Sequence, residues 1–156
     1  MRDWIWMNPR RFLNAALCLA ALVPLSGCAQ SDSIDSSGAI YDGVSADASI
    51  MALGTEPFWG LDIEAESDGQ HAARFTTPED IDGSDFTLAR FAGNNGLGLS
   101  GTLDGKAVQV AITPGECSDG MSDRLYPFVV TLALGEALLR GCAYTSEAPF
   151  TGPKNP

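Results

Sequence analysis

One histidine, His71, serves the whole chain of 156 residues, and that scarcity removes several chemistries at once. A nucleophilic cysteine or serine needs a base to take its proton, and imidazole is the usual one. Ser118 and Ser122 also lack the Gly-x-Ser-x-Gly frame of a nucleophile elbow. Zinc fares no better, because two downstream cysteines and one distant histidine show no paired-ligand spacing. Basic residues are scarce as well: 9 Lys and Arg stand against 20 Asp and Glu, a formal net charge of −11. Such a surface repels phosphate, so nucleic acid is not an expected partner. The apolar run from Phe12 to Val23 is too short to cross a hydrocarbon core that takes about 20 residues. After it, no segment shows a convincing long helical period.

What is present first is an address. Arg2, Arg10 and Arg11 precede the apolar run, and small residues follow it, which is the layout of a secretory signal. Met1 and Met7 are both open as its start, since the essentials lie after Met7. The signal ends in Leu25-Ser26-Gly27-Cys28, which resembles the lipobox of bacterial lipoproteins. That resemblance implies lipidation of Cys28 with several acyl chains, enough for stable anchoring, since each buried CH₂ contributes about 0.8 kcal/mol. Ala29 in place of the Asp that favours inner-membrane retention points to the outer membrane, with the domain facing the periplasm. Losing residues 1–27 removes Arg2, Arg10, Arg11 and Asp3, a net +2, and moves the formal charge from −11 to −13.

The organisation expected after the signal (1–28) is a tether over 29–50, a β-domain over 51–148 and a C-terminal tail over 149–156. The tether reading rests on a Ser-, Asp-, Ala- and Gly-rich composition, with a reach of roughly 26 Å for a flexible chain of about 22 residues. Beyond it, apolar residues recur at period two. PFWGLDIEA sets Trp59, Leu61 and Ile63 on one face and Asp62 and Glu64 on the other. Six more such runs follow, with PEDIDGS as an acidic loop and Asp104-Gly105 as a hairpin turn. LALGEALLR reads as two strands rather than a helix, because Gly135 interrupts it. Seven short strands imply an all-β fold, a small antiparallel meander closing into a barrel or sandwich with one disulfide.

That disulfide joins Cys117 and Cys142, an even pair in an oxidising compartment. It would bolt down GECSDGMSDRLYP (Gly115–Pro127), where Asp119-Gly120 supplies a turn and Ser122 or Asp123 a cap for a short segment. Arg124 has Asp119 and Asp123 within local reach, and Pro127 hands over to a strand. Calcium is the weighed alternative, with Glu116, Asp119 and Asp123, or Asp80, Asp82 and Asp85, as oxygen ligands. Neither set has the spacing of an EF-hand loop, so no metal site and no cofactor are expected. Trp59, Glu56, Asp119 and Asp123 are the candidate binding residues, and no residue is a candidate for catalysis.

GTEPFWG (54–60), CSDGMSDRLYPF (117–128) and LRGCA (139–143) together resemble a family of bacterial envelope lipoproteins without an assigned activity. The likeness covers about residues 52–145. It implies a lipid-anchored extracytoplasmic β-domain. A more distant similarity is to membrane-bound inhibitors of c-type lysozyme, whose Ser-Gly-x-x-Tyr motif has the letters of Ser37-Gly38-Ala39-Ile40-Tyr41, though inside the expected tether. The function expected is a non-enzymatic binding or structural role towards an envelope protein. Lysozyme-type inhibition is the alternative and an envelope hydrolase the third reading. Cys28→Ser should abolish fatty-acid labelling and leave the chain unprocessed or soluble; undiminished labelling of the variant defeats the lipobox reading.

Overall fold

The computed structural model describes residues 41–154. The expected signal and lipobox, with Cys28, and residues 29–40 of the expected tether, including Ser37–Ile40, lie outside the described residues. Period-two alternation builds eight antiparallel strands: β1 (Ile50–Thr55), β2 (Phe58–Ala65), β3 (Gln70–Thr77), β4 (Asp80–Ala92), β5 (Leu97–Leu103), β6 (Lys106–Ser118), β7 (Leu125–Leu134) and β8 (Ala137–Thr145). Each pairs with its neighbours in chain order, and β1 pairs with β8, so the sheet closes into a barrel. Eight strands leave an interior that side chains can fill. Leu61, Ile63, Leu88, Ile112 and Val130 fill it here, each fully buried.

Tight turns set the register. Asp104 and Gly105 both take positive φ, 50° and 77°, as the two-residue β5–β6 hairpin requires. Gly135 at φ 59° joins β7 to β8, so LALGEALLR is indeed two strands.

The strand absent from the sequence reading is β1, and it is the one that closes the barrel. Its six residues, IMALGT, include two small ones and follow a polar stretch, so the alternation is faint. Residues 41–49, expected in the tether, belong to the domain. Val44 and Ala48 are buried in the core, Tyr41 packs against it, and Arg90 donates to the Val44 carbonyl at 2.6 Å. The acidic PEDIDGS stretch is also no loop, because β4 already begins at Asp80 and pairs with Thr77. Nor is the C-terminal tail detached. Thr151 exchanges two backbone hydrogen bonds with Leu125, and Phe150 packs on Tyr126 and Tyr144.

Trp59 sits at the closure seam, only 4 % exposed. It stands opposite Gly54 of β1, stacks on Phe75 of β3 at 6.4 Å between centroids, and lies beside Gly141 of β8. A Cβ at Gly54 would meet the indole, and one at Gly141 would meet the Leu53 carbonyl oxygen as well as the indole. Gly141→Ala should therefore destabilise the barrel by about 1–3 kcal/mol, the usual cost of overpacking. Urea unfolding followed by the emission of Trp59, the one tryptophan after Cys28, measures it. That emission should be blue-shifted in the native state, and an unchanged midpoint in the variant would refute the slot.

Candidate binding groove

β6 and β7 run past the barrel as an arm. The pairing is regular from Val108↔Leu134 to Pro114↔Phe128, shifts register between Pro114 and Cys117, and resumes at Cys117↔Tyr126. The arm lies over the outside of β8 and β1. Cys117 is bonded to Cys142 of β8, and Thr55 of β1 donates to the Asp119 carbonyl at 3.0 Å. With the cysteines separated by 25 positions in sequence, the closed loop is worth roughly 3.5 kcal/mol in the chain-entropy model.

Asp119 organises the tip. Its Oδ1 accepts from the backbone N–H groups of Met121 and Ser122, at 2.9 and 2.8 Å. Its Oδ2 accepts from the hydroxyls of Ser122 and Tyr126, at 2.8 and 3.1 Å. Burial by itself would raise its pKa, but these four donors favour the carboxylate and hold it down at about 2. The turn is thus held by Asp119, with Ser122 accepting from the Arg124 N–H at 3.3 Å, while Asp123 is exposed. Arg124 turns away from both acids. Its guanidinium donates to the carbonyls of Pro153 and Lys154 and lies 4.6 Å above the Phe150 ring. The arm and the tail brace each other.

Between the arm tip and the β1–β2 hairpin runs a groove made of two adjoining depressions, of about 490 and 820 Å³. Leu53, Gly54, Thr55, Phe58, Asp119 and Met121 line both. Glu56 and Arg140 border the larger one, and Trp59 and Arg124 the smaller. The three stretches GTEPFWG, CSDGMSDR and RGC, scattered over 90 residues, meet here.

Of the four expected binding residues, Glu56, Trp59 and Asp119 reach the groove and Asp123 lines neither depression. Trp59 contributes from the core and not as an exposed ring. The exposed apolar groups are Phe58, at 51 %, and Met121, at 68 %. Neither was singled out, although the alternation of PFWGLDI places Phe58 opposite Trp59, on the outer face with Asp62.

Chemically the groove offers contact area more than reactivity. Cys117 carries no free thiol, and the Asp119 oxygens are engaged by local donors. His71 is buried inside the barrel, 3 % exposed. Among the described residues no three His, Cys, Asp or Glu side chains gather as metal ligands. Asp80 bonds Gly83 and Ser84, and Asp85 pairs with Arg74 at 2.7 Å, while Asp82, Glu116 and Asp123 are exposed. Comparison with protein-family models, curated proteins and solved structures finds no match.

The Asp119 cluster makes a pH-dependent contribution whose sign is fixed. A carboxyl titrating at about 2 when folded and near 3.8 when unfolded stabilises fully above the unfolded value, and that contribution disappears as pH falls through 2. Asp119→Ala should cost about 0.5–2 kcal/mol at pH 7, as for loss of a cap. It should also flatten the decline in melting temperature between pH 4 and 2. A variant with the native acid profile would show that the cluster does not titrate this way.

Proposed function

We propose that this chain is a lipid-anchored protein of the bacterial envelope whose barrel is a non-enzymatic binding module, with the groove under the arm as its contact surface. The observation that carries this reading is the convergence of the three singled-out stretches on one braced groove. There Phe58 and Met121 project an apolar contact that the fold itself does not use. Aromatic and Met side chains in a concave setting suit the desolvated centre of a protein interface. Glu56 and Arg140 at the edge supply opposite charges for orientation. Cys28 would carry the lipid, and the outer membrane, periplasmic side, is the compartment that Leu-Ser-Gly-Cys-Ala and the disulfide support best. The partner class is another envelope protein.

The inhibitor alternative is weakened by the placement of Tyr41. Its ring packs against the core and its N–H is tied to the Gly93 carbonyl at 2.9 Å, so it is not presented on an inhibitory loop. The hydrolase reading is held down by His71, which is enclosed away from Ser118 and Ser122.

A photo-crosslinking residue at position 58 in the acylated chain tests the proposal in intact envelopes. A discrete adduct should form from position 58 and be lost in Met121→Glu, while the same label at Glu66, in the β2–β3 turn, gives none. Equal labelling from both positions, or adduct formation indifferent to Met121→Glu, overturns the groove as contact surface. Purified protein should leave a c-type lysozyme uninhibited.

A further inference from the structure

The outer surface of the barrel divides by charge. On β2, β3 and β4 the outward positions hold Asp62, Glu64, Arg74, Asp82 and Asp85. From Thr87 of β4 across β5, β7 and the part of β6 between its exposed end charges Lys106 and Glu116, they hold no charge. Register aligns one row as Phe91, Gly98, Ala111 and Thr131, ending at Arg140. The next row is Ala89, Ser100, Gln109 and Ala133, ending at Leu138. In a chain with 20 acids, this is a broad uncharged face. Two large apolar side chains stand proud of its small residues, Phe91 at 72 % and Leu138 at 61 % exposure. A shallow depression of about 440 Å³ lies between them.

The chain enters the barrel beside this face. Tyr41 is hydrogen-bonded to Gly93, two residues beyond Phe91. Because residues 41–49 are part of the domain, only 12 residues separate Cys28 from Tyr41, which can span at most ~45 Å. A barrel tethered within that reach meets the bilayer repeatedly, and its faces are not equivalent there. Its acidic side is repelled by anionic headgroups, and its uncharged side is not.

We infer that the uncharged face of β4–β7, with Phe91 and Leu138 at its margins, rests on the lipid surface that receives the acylated Cys28. This rests on the anchor reading above. Two apolar side chains would not retain a barrel on a membrane. With the lipid already holding it, the high effective concentration makes a weak contact sufficient to set orientation. The groove, on the β1–β2 and arm side, is then left free for its partner.

The test uses the full acylated chain in phosphatidylethanolamine–phosphatidylglycerol vesicles whose acyl chains carry bromine, a short-range quencher of tryptophan. Phe91→Trp should lose about half its added emission, since interfacial side chains sit within the headgroup–acyl boundary. Asp82→Trp, on the acidic face, should be unaffected. Adding Ala111→Glu to Phe91→Trp should restore the emission. If the protein floats with the vesicles but position 91 is unquenched, the proposal fails and the anchor stands. An unquenched position 91 that is shielded from acrylamide, together with a cross-linked dimer, assigns the face to a second copy and also overturns it. If the chain does not float, the anchor reading fails and takes this one with it.

Discussion

The indole of Trp59 lies in the space that two glycines leave at the seam between the first and last strands. Gly54 stands opposite it on β1, Gly141 beside it on β8, and Phe75 stacks on it from β3. A side chain at either glycine would separate backbones that must approach closely for β1 to pair with β8. Closure satisfies the two edges that an open eight-stranded sheet would expose. It also seals the interior, and with it His71. The contents of GTEPFWG and RGC are therefore first a packing requirement and only then a surface.

The arm depends on that seam. Cys142 follows Gly141 on β8, so the position that admits Trp59 on the inside also aims a cysteine outward, where Cys117 meets it. Inside and outside alternate along a strand, and one Gly-Cys pair serves both faces. Once the disulfide holds the arm down, Asp119 can order the tip through four hydrogen bonds, and Tyr126, Tyr144 and Phe150 fill the space beneath. The result is a groove with rigid walls. Such bracing leaves the groove backbone little conformational entropy to lose on contact with another surface.

Charge is distributed as unevenly as shape. Acids gather on the outside of β2–β4, apolar contact at the groove, and neutral small residues on β4–β7. Such partition gives a small barrel three faces of different physical character.

Alternation alone was enough to read seven of the eight strands, their inward faces and most of their turns, because a buried face and a solvated face leave a period-two trace. The cysteine pair was legible from count together with the expected compartment. The rest was not. β1 is short and contains small residues whose value lies in what they do not occupy, and absence of bulk has no local signature. Val44 and Ala48 looked like part of a polar tether because two apolar residues among serines acquire meaning only when a barrel end is there to receive them. Asp80 and Asp82 looked like loop because acids mark turns and exposed strand edges alike. Residue types and their periodicity determined the fold class, the inward faces and the candidate staple. Barrel closure, the meeting of three distant stretches in one groove and the identity of its exposed apolar groups were decided by tertiary structure, because contacts across the seam join residues whose spacing in the chain carries no period.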